Sequence, residues 1–254
     1  MLGVHHPLVK TIRKAVQRGA RTPDGLAVAE GPNLVREALR SGVRIEAILA
    51  TPRAAELLDA GLSVPDLSVQ WIDESLMNQI SAVENNQGVL ALLDIGESPL
   101  SGALAGSAAL TVALDGIQDP GNAGAIVRSA EAFGASGVVF LKGSVSPWNP
   151  KTLRASAGSL LRIPFALVGW DDFLSGVTAR GLSLVSADPH AARRIDEISL
   201  SGPTAILIGN EGRGVPGDHA KSAIPVRIPT QGVESLNAAL AAGILLYEAR
   251  RQRS

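Results

Sequence analysis

The side chains of this chain that could do chemistry fall in three separated stretches. The first runs Asp115-Gly116-Ile117-Gln118-Asp119-Pro120-Gly121-Asn122 and on to Arg128. The second is Gly209-Asn210-Glu211-Gly212-Arg213-Gly214, and the third is Ile228-Pro229-Thr230-Gln231-Gly232-Val233-Glu234-Ser235-Leu236-Asn237. They offer amides, carboxylates, hydroxyls and guanidinium groups, which position and polarise a substrate. A guanidinium stays protonated in proteins, so Arg128 suits an anion or a developing oxyanion and not the role of general base. Three glycines in six residues of the second stretch permit positive φ and close backbone approach to a ligand. Other chemistries lack their residues. There is no cysteine, and His5, His6, His190 and His219 show no metal-ligand spacing, so no metal is expected. No phosphate-binding Gly-Lys-Ser/Thr loop, no Gly-x-Ser-x-Gly and no His-Glu-x-x-His occurs.

The elements that must position these residues come from a chain of 254 residues, 46% hydrophobic and 19% charged. That is a globular composition, long enough for one large α/β domain or two smaller ones. Missing cysteine excludes a disulfide framework and fits a reducing cytosol. No apolar run approaches the roughly 18–20 residues needed to span a bilayer. No apolar h-region follows the first charges of the amino terminus, so a cytoplasmic protein is expected. Net charge is only −1, but residues 1–21 hold Lys10, Arg13, Lys14, Arg18 and Arg21 with no acid, and the tail holds Arg250, Arg251 and Arg253. Basic ends on a neutral body suit local phosphate contact. They are equally compatible with two solvated helix faces.

Residues 98–109 are small, uncharged and rich in Gly, Ser and Pro, a linker composition. They divide the chain into 1–97 and 110–254. In the first part, strands are expected at 26–30, 44–50, 67–71 and 89–93, with helices at 31–39, from Pro52 to Ala60, and from an Asp73 N-cap to Ile80. This reads as a small α/β sandwich. In the second part, nearly pure aliphatic runs at 110–114, 137–141, 182–186 and 204–208 predict a parallel sheet covered by helices on both faces. Asn122 is the expected N-cap of a helix over 123–133. Ser235 is the expected cap of a last helix to about Arg251, with Leu236, Leu240, Gly243, Ile244 and Tyr247 as its apolar stripe.

Together and in this order, the three stretches resemble the signature motifs of the SpoU-type RNA 2′-O-ribose methyltransferases of the SPOUT superfamily. The resemblance implies a methyl group carried from S-adenosyl-methionine to a ribose 2′-hydroxyl. In that pattern Asn122 and Arg128 face the substrate ribose and phosphate, and Glu211 helps organise the site. Ser235 and Asn237 contact the substrate or the donor side of the pocket. Gly209, Asn210 and Gly212 grip the donor through their backbone, and Ile228 and Leu236 offer it backbone groups. The sequence departs from the pattern in a third-stretch loop about one residue shorter. Ala238-Ala239 also stands where the family has Val-Ser.

The resemblance further implies a carboxyl-terminal trefoil knot and a homodimer packed through it. Residues 150–158 resemble the helix that follows the family's first motif, where Lys151 and Arg154 share a face and could meet RNA phosphate. Over about residues 8–95, through the strand Leu26–Glu30, the turn Gly31-Pro32-Asn33 and the helix from Leu34, the chain is similar, more loosely, to the amino-terminal substrate-binding domain of ribosomal-RNA members, with Lys10, Arg13, Lys14 and Arg18 as candidate phosphate contacts. The expected whole is therefore α/β: an RNA-binding domain over 1–97, a linker over 98–109 and a parallel-sheet methyltransferase domain over 110–254. Structured ribosomal RNA is the favoured substrate. A transfer-RNA 2′-O-methyltransferase and an inactive RNA-binding relative are the alternatives. Aromatic residues make up only 3% of the chain, which points to recognition by shape and phosphate contact more than by base stacking.

Overall fold

The structure is a computed structural model, and it describes residues 1–56 and 69–254. The chain forms two compact units, one of residues 1–96 with 146–162, the other of 97–145 with 163–254.

The first unit opens with helix α1 (Pro7–Arg18). It starts on a proline at its first turn and stops at Gly19 in the left-handed region, φ 59°. Strand β1 (Ala27–Glu30), helix α2 (Pro32–Arg40), strands β2 (Ile45–Ala50) and β3 (Val69–Trp71), helix α3 (Glu74–Ile80) and strand β4 (Val89–Leu93) follow. The sheet order is β1-β4-β2-β3, with β4 antiparallel to β1 and β2, and β3 parallel to β2. Val9, Ile12 and Ala15 of α1 and Leu76, Met77 and Ile80 of α3 share one core with Val28, Leu49 and Leu90 of the sheet. Asp73 caps α3 as expected, accepting from the Leu76 amide at 2.7 Å. After Pro52 the structure shows a short 3-10 turn, Pro52–Ala54. The expected continuation to Ala60 and the start of the strand at 67 lie outside the described residues.

The second unit begins with helix α4 (Leu100–Ala103), strand β5 (Leu110–Asp115), helix α5 (Pro120–Ala132) and strand β6 (Gly137–Leu141). Helix α6 (Pro150–Ala155) then belongs to the first unit, where it packs on β1. The second unit resumes with β7 (Phe165–Val168), α7 (Trp170–Ala179), β8 (Ser183–Ala187), β9 (Thr204–Gly209), α8 (Gly217–Ala220), β10 (Ile224–Val226) and α9 (Ala238–Gln252). Its sheet, order β10-β8-β9-β5-β6-β7, is parallel throughout. Leu104, Phe173 and Val177 cover one face over Ala113, Val139 and Leu207. On α5 the buried side chains are Ala123, Ile126, Val127 and Ala130, and α9 packs against α5 and β9. Every residue of β5 and β6 is buried, which explains the unbroken aliphatic runs.

Several expectations differ from the fold. Residues 98–109 carry α4, whose Ala103 lies so near β6 that a Cβ on Gly137 would stand 2.5 Å from the Ala103 backbone, and Ala103, Leu104 and Ala109 join the core of the second unit while Pro99, Ser101 and 105–108 are exposed. Strand β7 was not expected. The large residues of the α9 stripe face outward: Leu240 is 53% and Tyr247 55% exposed, and the buried face is Ala238, Ala242, Leu245, Leu246 and Ala249. No described helix is long and apolar enough to cross a membrane.

Candidate active site

The site is built where β5 and β9, neighbours in register from Leu110↔Thr204 to Asp115↔Gly209, end side by side. Ligands of open parallel sheets bind at such carboxyl-terminal edges. After β5 the chain turns through Gly116, φ 73°, into α5. The N-cap there is Asp119, which accepts from the Asn122 amide at 2.7 Å, and not Asn122 itself. Pro120 at the first helical position fixes the entry. Asn122 sits one turn into the helix with its side chain free to act elsewhere.

The second stretch closes on itself. Asn210 and Gly214 exchange backbone hydrogen bonds at 3.0 and 2.9 Å. Asn210 Oδ1 accepts from the amides of Gly212 and Arg213 at 3.0 and 3.2 Å, and its Nδ2 donates to the Gly116 carbonyl at 2.9 Å. A Cβ on Gly209 would strike the backbone of Gly214 and Val215, so the loop closes only over glycine. One side chain thus fixes the loop and ties it to the turn after β5.

At the third stretch the N-cap of α9 is Asn237, whose Oδ1 accepts from the amides of Ala239 and Leu240 at 2.9 and 3.2 Å. Ser235, the expected cap, is exposed and lines a cavity instead. Asn237 then donates from Nδ2 to Asn122 Oδ1 at 2.9 Å, and Asn122 donates from Nδ2 to Glu211 Oε1 at 2.8 Å. Asn237, Asn122 and Glu211 come from three different stretches and form one hydrogen-bonded row. Each amide uses both ends, so its orientation is fixed by its neighbours.

Beside this row lies a cavity of about 720 Å³. Gly209, Asn210, Gly212, Ile228 and Leu236 all line it, with Glu211 and Ser235. Its size and its backbone-rich wall suit a small-molecule cofactor. Sequence reasoning missed part of that wall: Ser186, Ala187, Asp188, Pro189 and His190, at the end of β8. Their position after a strand of a parallel sheet was the available signal. Arg128 is not in the row. It stands six residues beyond Asn122, about 9 Å along the helix axis. It is exposed, with no hydrogen bond or ion pair among the described residues. Among the described residues no cluster of His, Asp and Glu could hold a metal ion.

The remaining candidates lie in the first unit. Lys10, Lys14 and Arg18 are exposed on α1. Arg13 is half-buried and donates to Gln79 at 3.1 Å, and the Arg21 guanidinium lies 3.9 Å over the Trp148 ring. Lys151 and Arg154 are exposed on α6, within the first unit. Arg154 lines a cavity of about 640 Å³ together with Arg36, Arg40, Asn85 and Gln87.

Fold and site define the class, an α/β enzyme with a cofactor-sized cavity and a fixed row of polar groups at the carboxyl ends of its strands. Comparison with known proteins is specific. Residues 109–247 match the SpoU rRNA Methylase family, and residues 6–91 match the MRM3-like substrate binding domain. The chain is 32% identical over 248 residues to the 23S rRNA (guanosine(2553)-2′-O)-methyltransferase RlmP of Bacillus subtilis, covering 95% of each. Among solved structures, the AdoMet-bound rRNA methyltransferase from Sinorhizobium meliloti superposes with a TM-score of 0.84 at 33% identity, covering 99% of this chain and 97% of that one. The SpoU methyltransferase AviRb from Streptomyces viridochromogenes, in complex with AdoMet, gives 0.86 at 27% identity, covering 98% and 99%. The chain belongs to the SpoU rRNA Methylase family and is an RNA methyltransferase.

Proposed function

We propose that this protein transfers a methyl group from S-adenosyl-methionine to the 2′-hydroxyl of one ribose in ribosomal RNA, in the cytoplasm. The observation that carries the reading is the row Asn237–Asn122–Glu211, which joins all three stretches at the edge of the cavity. The cavity fits the donor: the close approach at Gly209 and the loop locked by Asn210 present backbone groups where an adenosine and an amino-acid tail need partners. Ile228 and Leu236 face the same space. The donor supplies an activated sulfonium methyl, so the residues of this chain have a positioning task.

A ribose 2′-hydroxyl is a poor nucleophile at neutral pH. Asn122, oriented from both sides, and Ser235, free of other partners among the described residues, hold the ribose. Arg128, exposed and unpaired, holds the adjacent phosphate and stabilises the oxygen as it gains negative charge. The 2′-oxygen forms its bond to the methyl carbon as the carbon–sulfur bond breaks. Its proton leaves to water or to the neighbouring phosphate. Glu211 and Asn237 act through Asn122.

In the first unit, exposed Lys10, Lys14 and Arg18 on one side and the Arg154 cavity on the other are surfaces for RNA phosphate. The reading includes a trefoil knot at the carboxyl-terminal end of the chain. It also includes a homodimer, in which a second copy covers the exposed Leu240 and Tyr247 of α9.

The test is to map 2′-O-methyl positions in total RNA from deletion and wild-type cells, and to repeat the transfer in vitro with labelled donor. Loss of one ribose mark in ribosomal RNA is expected. Loss of a transfer-RNA mark instead, or label on a base, would overturn the substrate or the position.

A further inference from the structure

The proposed chemistry leaves one ionisable pair, a buried carboxylate and a half-buried histidine, unused. Asp115, the last residue of β5, has a carboxylate only 5% exposed, and its Oδ2 lies 2.7 Å from His219 Nδ1. His219 is the only hydrogen-bond partner of that carboxylate among the described residues. The histidine ring is stacked on Trp170, the first residue of α7, with centroids 3.9 Å apart and planes 10° from parallel. The imidazole is therefore held from two directions, by a carboxylate at its edge and an indole on its face. Neither contact reaches the cavity: Asp115, His219 and Trp170 are all absent from its wall.

The residues around His219 are not absent from it. His219 belongs to the single turn α8, Gly217–Ala220, and Gly217, Ala220 and Lys221 line the cavity. A four-residue helix has no stability of its own, and no residue of this one is buried. Its place must come from an anchor. His219 reaches from the side of the turn away from the cavity to the end of the strand whose next residue, Gly116, accepts from Asn210. One histidine thus links the cavity wall after β9 to the junction where the first two stretches meet.

We propose that His219 is a positioning residue for binding of the methyl donor, pinning the 217–221 segment against Asp115 so that one wall of the cavity is formed before the donor arrives. The link saves the donor the cost of ordering that wall, so its loss weakens donor binding and leaves the transfer step at saturating donor nearly unchanged. The pair is also chemically restrictive. A buried carboxylate left without its partner disfavours its own burial, so α8 is not simply released but displaced from Asp115.

The inference rests on assigning the cavity to S-adenosyl-methionine, and the experiment separates the two. Amide hydrogen exchange on donor-free protein reads the pin alone. His219→Ala is expected to speed exchange of the 217–221 amides at least roughly tenfold while β5 and β9 keep their protection. Calorimetry with S-adenosyl-methionine then reads the consequence: donor Kd rises roughly tenfold or more in His219→Ala, with kcat at saturating donor within about twofold. His219→Asn, which places an amide near the position of Nδ1, restores most of the affinity, and Trp170→Leu gives an intermediate loss. Unchanged exchange in His219→Ala overturns the pin. Accelerated exchange with wild-type donor affinity overturns its role in binding, as does an equal fall of kcat and affinity that Asn fails to rescue. Wild-type protein with no affinity for the donor would instead remove the assignment of the cavity.

Discussion

Asn237 donates a hydrogen bond to Asn122 at 2.9 Å across 115 positions of sequence, while its own Oδ1 caps α9. One side chain therefore starts the last helix and orients an amide of the first stretch. The two tasks can be pulled apart. Asn237→Asp keeps an acceptor for the amides of Ala239 and Leu240 but has no hydrogen to donate to Asn122. Its melting temperature is expected to stay near wild type while transfer falls about 10²-fold. Asn237→Ala loses both functions, and about 1 kcal/mol of stability with the cap. Thermal melts and single-turnover transfer on both variants check this. A fully active Asn237→Asp would show that Asn122 needs no orientation from that side.

Arg128 stands apart from the row and from the cavity wall, so its removal should leave the donor untouched. Arg128→Ala is expected to lower the rate of transfer at least about 10²-fold, with donor affinity changed by less than about twofold. Arg128→Lys should recover only part of the rate, because an ammonium cannot make a two-pronged contact to phosphate. Single-turnover assays with a tritiated methyl donor, set beside calorimetry, read both quantities. Lost donor binding in Arg128→Ala would place the residue on the wrong side of the site.

A pH dependence is built into α9. Arg251 donates to both Glu248 carboxylate oxygens at 2.8 and 2.7 Å, and Gln252 adds a third hydrogen bond at 2.8 Å. The Arg251 contact, more than any other, holds the Glu248 carboxyl at about 2, below its ordinary 4.5. A depressed carboxyl stabilises the fold above the unfolded value, and the contribution is lost as pH falls from about 4.5 toward 2. Glu248→Gln should therefore melt slightly below wild type near neutral pH, by roughly 1–2 °C, because the Arg251 end of the pair is exposed and screened by solvent. The gap should close as pH drops through that window. Parallel melting curves from pH 7 to pH 2 check it, and a gap that widens on acidification would contradict the assignment.

The outward stripe of α9 makes the prediction about assembly. Leu240 and Tyr247, seven residues apart, point from one side of the helix, and the Tyr247 ring meets Phe133 edge-on with centroids 5.8 Å apart. If a second copy covers this surface, the double variant Leu240→Lys, Tyr247→Lys should sediment as a monomer at concentrations where wild type is a dimer. Wild-type protein that sediments as a monomer at tens of micromolar would remove the dimer.

What could be read from the sequence divides along physical lines. Strands 89–93 and 137–141 were legible to the residue because both faces of each are buried and every position is apolar. The bounds of β10 were not, because it is three residues long, holds Pro225 and lies at a sheet edge with only Val226 buried. In α9 the largest apolar residues suggested the core face. Close packing on α5 instead selects alanines with Leu245 and Leu246, and large side chains remain outside. The identities of the site residues were legible, but their partners were not. Asp119 and Asn122 are both good caps three positions apart, and only the folded turn shows that Asp119 takes the cap and frees Asn122. Asp115 and His219 are separated by 104 positions and give no local signal at all. The same holds for α6, whose residues sit between two strands of the second unit yet pack in the first.

That placement of α6 sharpens the last prediction, which concerns how the first unit holds RNA. Of the basic residues near the amino terminus, Arg13 is engaged by Gln79 and Arg21 by Trp148, which leaves Lys10, Lys14 and Arg18 exposed on α1. Arg154 offers a second surface with Arg36 at the cavity of the same unit. Each cation that touches phosphate releases about one counterion, so its removal flattens the salt dependence of binding by about one unit of slope or slightly less. The triple variant Lys10→Ala, Lys14→Ala, Arg18→Ala and the double variant Arg36→Ala, Arg154→Ala are each compared with wild type across a salt series on ribosomal-RNA fragments. A slope lower by about 2–3 in the triple variant would assign α1 to the RNA, and one lower by about 2 in the double variant would assign the cavity. Donor affinity should not change in either, because these residues lie in the unit that does not contain the cavity proposed for the donor. Wild-type slopes in both variants would mean that the first unit does not hold RNA through these cations, and its part in substrate selection would fall.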